Sequence, residues 1–259
     1  MSVSLVIDND VARITLDNPA KHNAFDDDII ELLITAFNDA SNHESARVIL
    51  LSANGKHFSA GADLNWMKRM GQLDYQENRA DALRLAELMR TIDQARKPVI
   101  CRVQGAAFGG ALGLICASDI AIASDDARFC LSEVKLGILP AVISPYVVRA
   151  MGARQAQRYF LSAEVMSAPL AERLNIVHEQ LPIEQLDQRI DDIIQALRKG
   201  APKAQMQSRE LVEQVANRHI DSAAINYTVD LIAALRTDKE GREGLTAFLD
   251  KRSPSWSAS

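Results

Sequence analysis

The sequence predicts an α/β core followed by a helical C-terminal region, and three observations carry that prediction. Short β-rich runs alternate with helical patterns as far as Val177, as in a sheet covered by helices. From Ile183 onward come four helical patterns and no convincing strand: Leu186 to Leu197, Ala201 to Ala216, Ala223 to Leu235 and Gly241 to Lys251. Composition changes near Lys199-Gly200, which places a boundary between a core over 1–199 and a helical region over 200–259.

Taken in order, Val3 to Ile7 and Val11 to Leu16 read as strands joined through Asp8-Asn9-Asp10, a hairpin signal. Asn18-Pro19 breaks the pattern. Asp26-Asp27-Asp28 suits a helix N-terminus, and Ile29, Leu32, Leu33, Ala36 and Phe37 follow at helical spacing, with an end near Asn42. Val48 to Leu51 is a buried-strand candidate and Asn54-Gly55 a turn. Ser59-Ala60-Gly61-Ala62 lets a ligand approach the backbone closely, and Asp63 can start a helix whose N-terminal amides face the same point. Gly71 to Asn78 reads as a polar mobile segment ahead of an amphipathic helix from Ala82 to Ile92, closed by Lys97-Pro98. Beyond Pro140, Val147 to Ala150, Gln155 to Leu161 and Pro169 to Leu174 are helical, with a short strand near Ile176-Val177.

The stretch from Arg102 to Pro140 holds the functional signal. An apolar strand, Val99 to Val103, leads through Gly105 into Gly109-Gly110 and an apolar helical run, Ala111 to Ala117. Backbone N–H groups at such a glycine turn stabilise a negative oxygen. Glu133 lies between Leu131 and Val134, where a carboxylate is costly without a task or a partner. Taken alone, Glu133 fits a structural acid as well as an acid/base, and Gly109-Gly110 is more often a packing turn. Asp119 reads as structural.

Composition excludes other classes. With 47% hydrophobic and 24% charged residues in 259, the chain is globular rather than disordered. A net charge of −5 without a basic stripe argues against nucleic acid as a partner. Cys101, Cys116 and Cys130 have no CxxC spacing, and His22, His43, His57, His178 and His219 no HxH or HxxxH, so no metal site is expected. Apolar runs fall short of about 18 residues and the opening MSVSLVIDND lacks a basic n-region, so the expected location is the cytoplasm, away from membranes.

Five blocks, NPAKHNAFD (18–26), FSAGADL (58–64), VQGAAFGGALGLICASDIAIA (103–123), ARFCLSEVKLGILP (127–140) and EGLTAFLDKRSPSW (243–256), resemble the crotonase superfamily of enoyl-CoA hydratases and isomerases over the whole chain. GADLNWM and LGILPAVISPYVVRAMG are similar to bacterial methylglutaconyl-CoA hydratases. The resemblance implies a spiral of ββα units with a helical trimerisation region, assembled as a trimer or a dimer of trimers. It implies an acyl-CoA substrate with no further cofactor, an oxyanion hole from the Ala62 and Gly110 amides, and Glu133 as acid/base. CoA or substrate contacts would come from Lys21, Ala60, Asp63 and Leu64, and from Phe248 and Lys251 reaching a neighbouring subunit. Lys21 can equally lie on a solvated loop, Phe248 and Lys251 can be ordinary helix residues, and Trp66 and Met67 can line the acyl pocket or fill the core.

One departure stands out. The family's first glutamate falls at Gly113, leaving one carboxylate of the usual two. A glycine there is expected to leave room and to spare an acidic acyl group from repulsion, favouring glutaconyl-type substrates. The expected reaction is hydration of 3-methylglutaconyl-CoA to 3-hydroxy-3-methylglutaryl-CoA in leucine breakdown. The alternatives are a Δ3,Δ2-enoyl-CoA isomerase and a catalytically weak acyl-CoA or RNA binder.

Overall fold

The computed structural model describes residues 2–216 and 218–257, which fall into two compact units, one ending at Asp191 and the other beginning at Asp192. In the first, strands β1 (Val3–Asp8) and β2 (Val11–Leu16) pair antiparallel. Their loop residues Asn9 and Asp10 both have positive φ, 47° and 63°, as a tight two-residue hairpin turn requires. Helix α1 (Asp27–Asn42) starts where the Asp26 carboxylate accepts the Ile29 N–H at 2.9 Å. β3 (Val48–Ala53), α2 (Leu64–Met70), α3 (Tyr75–Asp93), β4 (Val99–Val103), β5 (Ala106–Phe108), α4 (Gly110–Ala117), β6 (Ile120–Ser124) and β7 (Arg128–Cys130) follow. After a 3-10 turn at Glu133–Leu136 come α5 (Ser144–Met151), α6 (Ala153–Ser162), β8 (Met166–Ser167), α7 (Ala168–Arg173), β9 (Glu179–Leu181) and α8 (Ile183–Arg198).

The main sheet has the order β1-β2-β3-β4-β6-β9 and is parallel except for the hairpin, and β5-β7-β8 form a second, smaller sheet. Alternate residues of the main strands point to one face. Ile14 and Leu16, Ile49 and Leu51, Val99 and Val103, and Ala121 and Ala123 join Leu33 and Phe37 of α1, Leu88 and Met89 of α3 and most of α4 in one core. Phe37, Phe58 and Phe129 are fully buried, and truncating one to alanine would cost about 3–5 kcal/mol. Asp119 is structural: its carboxylate accepts the Val99 N–H at 2.8 Å while its own N–H reaches the Val99 carbonyl, tying β6 to β4.

Two sequence expectations need correcting. Gly71 to Asn78 is not a loose segment, because α3 already begins at Tyr75. Asp74 and Glu77 cap each other's backbone N–H groups, and the Asn78 amide reaches the carbonyls of Met70, Leu73 and Asp74. The last strand is Glu179–Leu181 rather than Ile176-Val177. Ile176 and Val177 are buried for packing, in a bend that follows Asn175 at φ 59°.

In the second unit, α9 (Pro202–Val215), α10 (Ser222–Thr237) and α11 (Lys239–Leu249) follow the end of α8, with no strand among the described residues. The units part within α8, ahead of the composition change at 199–200. The Glu240 carboxylate accepts the Lys203 and Ala204 N–H groups at the start of α9, and Trp256 Nε1 donates to the Lys199 carbonyl. Neither α9 nor α10 buries any of its residues. Among the described residues no helix is long and apolar enough to cross a membrane.

Candidate active site

The site is assembled by a chain segment that leaves β3 and runs beside β5. Phe58 N–H donates to the Gln104 carbonyl, Ser59 N–H to Ala106, and Phe108 N–H back to Ser59, at 2.8, 3.0 and 3.0 Å. Gly61 is therefore close to the Phe108 carbonyl: a Cβ there would stand 3.3 Å from that oxygen, at a φ of 99° that disfavours any side chain. On its other edge the segment bridges Phe25, whose N–H donates to Gly61 O at 2.7 Å and whose carbonyl accepts from Asp63 at 2.6 Å. Since neighbouring peptide groups alternate in direction, the Ala62 N–H points away from Phe25, and it meets no acceptor among the described residues.

The second amide comes from the glycine turn. Gly109, at φ 55°, gives its N–H to the Cys130 carbonyl at 2.8 Å, which fixes the turn against β7. Gly110 then opens α4, and as a first-turn amide its N–H has no intrahelical acceptor. The Phe25 ring lies 3.7 Å from where a Gly110 Cβ would stand, so the one residue bridged to Ala62 also packs on Gly110.

Glu133 begins the 3-10 turn after β7. Its Oε1 lies 3.5 Å from the position a Gly109 Cβ would take, and its Oε2 is buried with no hydrogen-bond partner. Burial pushes the carboxyl pKa upward, only partly offset by a backbone hydrogen bond. A carboxyl with one oxygen unpartnered, set against a turn with a free amide, suits proton transfer next to a developing oxyanion. Lys135 steadies this turn from behind by donating to the Ala163 carbonyl at the end of α6, 2.9 Å away.

The other sequence candidates divide. Lys21, Ala60, Asp63 and Leu64 gather beside Ala62. Asp63 caps α2 by accepting the Asn65 and Trp66 N–H groups and holds Lys21 Nζ at 3.1 Å. The Lys21 ammonium first, then those amides, keep its carboxyl below the usual range. Ala60 N–H donates to the His22 carbonyl, and Leu64 is 80% exposed. Trp66 is buried, with Nε1 donating to Asp81, so it fills the core. Phe248 and Lys251 lie in the second unit, where Phe248 is 80% exposed and Lys251 donates its N–H to the Phe248 carbonyl.

Sequence reasoning missed Phe25 as the shared support of both amides. Asn23 is buried and holds the 18–25 loop by donating to the Asn54 and His57 carbonyls and accepting the Asn18 N–H. Both stand in the NPAKHNAFD block. The expectation that Gly113 leaves room is overturned. A Cβ there would meet Ile143 Cγ2 at 2.4 Å, Met89 Sδ at 2.7 Å and Ile143 Cβ at 2.9 Å, all closer than real Cβ contacts. The space is filled by apolar packing between α4, α3 and the start of α5.

A profile of the enoyl-CoA hydratase/isomerase family matches residues 6–259. The chain belongs to the enoyl-CoA hydratase/isomerase family. A solved enoyl-CoA hydratase from Shewanella pealeana is 48% identical and superposes with a TM-score of 0.96, over 99% of this chain and 96% of that one. Among sequence relatives, a trans-2-decenoyl-[acyl-carrier-protein] isomerase of Streptococcus mutans is 30% identical, over 96% of this chain and 95% of its own. A 2,3-dehydroadipyl-CoA hydratase of Escherichia coli is 27% identical, over 95% and 94%. The fold is thus the crotonase fold, and the activity class that of an enoyl-CoA hydratase or isomerase acting on acyl-CoA.

Proposed function

We propose that this family member hydrates 3-methylglutaconyl-CoA to 3-hydroxy-3-methylglutaryl-CoA, with Glu133 as its only acid/base. The observation that carries the reading is the half-buried carboxyl of Glu133, its Oε2 unpartnered, against the Gly109–Gly110 turn, with no second acid at position 113. In this reading the thioester oxygen accepts the Ala62 and Gly110 N–H groups. Glu133 takes a proton from water as the oxygen of that water bonds to C3, and the C2–C3 π electrons move onto the thioester oxygen. The neutral Glu133 then returns the proton to C2, so water adds across the double bond and the carboxylate is regenerated. Losing one such amide typically costs about 10²–10³ in rate. An acidic acyl tail meets no second negative charge on α4, and the relationship to a 2,3-dehydroadipyl-CoA hydratase supports a carboxylated acyl group. On this reading the protein is cytoplasmic, needs no cofactor beyond the CoA of its substrate, and works as a trimer or dimer of trimers. Lys21 and Asp63 border the CoA entrance.

The single carboxylate also favours a second reading, a Δ3,Δ2-enoyl-CoA isomerase in which Glu133 carries a proton between C2 and C4, and the Streptococcus mutans isomerase is consistent with it. A substrate panel followed at the enoyl-thioester absorbance band separates the two. Hydration of 3-methylglutaconyl-CoA should bleach the band faster than hydration of crotonyl-CoA. If a 3-enoyl-CoA instead builds the band and no hydration is seen, the isomerase reading replaces the hydratase.

A further inference from the structure

We infer that Ile143, with Met89, determines the reaction specificity of this site by occupying the volume in which a second catalytic acid would stand. Position 109 is the N-cap of α4, and position 113 lies one turn inside the helix. Glu133 covers the first, and Ile143 and Met89 cover the second. Both apolar side chains are buried, at 2% and 0% exposure. Met89 approaches position 113 through flexible side-chain atoms, but Ile143 approaches through its Cγ2 and its Cβ, and the latter is fixed to the backbone where α5 begins. A single methyl group on residue 113 therefore requires α5 to move, and a carboxylate would enter an apolar wall with no partner. The consequence is selective. The wall confines proton traffic to Glu133, and a two-carboxylate water clamp cannot be restored by changing residue 113 alone. Met89 on α3, Gly113 on α4 and Ile143 at the cap of α5 set the number of acids together.

The inference rests on Glu133 being the proton carrier, and the experiment tells the two apart. Melting temperatures of Gly113→Ala, Ile143→Ala and the double variant come first. Gly113→Ala is expected to lower the melting temperature by several degrees alone and by much less in the Ile143→Ala background, since close neighbours couple. Strictly additive losses would overturn the packing claim. Crotonyl-CoA hydration is then compared between Ile143→Ala/Met89→Ala and the same pair carrying Gly113→Glu. The added acid should raise turnover at least about tenfold. It should also make turnover less sensitive to Glu133→Gln than it is in the unsubstituted protein. A folded triple variant with no gain, or Gly113→Glu alone that folds and gains, overturns the inference. If the glutamate variants do not fold, Gly113→Asp in the same background is read by the same rule. Failure of the underlying reading shows separately, as an otherwise unsubstituted protein that keeps its turnover with Glu133→Gln.

Discussion

Helices α4 and α10 are both apolar in sequence, yet α4 buries seven of its eight residues and α10 none of its sixteen. What each leaves unsatisfied differs in kind. At α4 the residue of packing is polar, one N–H at Gly110 and the nearby oxygen of Glu133, groups that a small molecule can meet. At α10 the residue is apolar: Ile225, Val229 and Ile232 lie four and three apart and are 50%, 54% and 45% exposed. A stripe of that kind is a surface that another protein can cover. The first region is finished except for its chemistry, and the second is unfinished as packing.

Glu133→Gln is the strongest way to break this contrast. It keeps shape but removes the proton acceptor, so kcat is expected to fall by about 10²–10⁴ with the affinity for a CoA thioester little changed. Unchanged turnover would return Glu133 to a structural role. Gly110→Pro should follow with about 10²–10³, because proline deletes the amide itself. Far-ultraviolet circular dichroism checks that the variant is folded. Gly109→Ala would perturb the same turn by another route, since a φ of 55° strains any side chain.

On the other side of the comparison, Val229→Asp with Ile232→Asp should lower the molar mass seen by light scattering and leave the core folded. An unchanged mass would mean that the stripe of α10 is not an assembly surface. Smaller still are two pH effects. Glu133 must be ionised to accept a proton, and burial raises its pKa. The acid limb of kcat/KM should therefore lie above the ordinary carboxylate range, and a limb near pH 4 would contradict the burial. His57 Nδ1 accepts the Ala106 N–H, and burial first, then the charges of His22 and Lys56, hold its pKa below 6.5. The unfolded chain then binds a proton that the folded one refuses, so stability should drop as pH falls through about 6.5. A His57→Gln variant should show less of that drop between pH 7.5 and 5.5 in thermal melts.

Local rules made most of this readable from sequence. Asp26 and Asp63 are caps where the chain needs caps, the Asn9-Asp10 loop has the backbone its hairpin requires, and Gly61 and Gly109 sit where φ is positive. The start of α3 carried its own sign in the Asp74 and Glu77 spacing, which a run of polar residues obscured. What could not be read were contacts between distant segments. Nothing local to Gly113 indicates that Ile143, thirty positions on, fills its space, or that Phe25 supports both amides. The small β5-β7-β8 sheet escaped for a related reason, since strands of two or three residues have too little periodicity to register.

The three cysteines, all buried as free thiols, have a practical consequence. Desolvation raises the pKa of each, that of Cys116 to about 12, so little reactive thiolate forms near neutrality. A Leu64→Cys or Phe248→Cys variant, each replacing a side chain 80% exposed, would carry a single fast-reacting handle for maleimide dyes without removal of any native sulfur. Fluorescence from a label at either position then tests whether CoA or a second subunit reaches it.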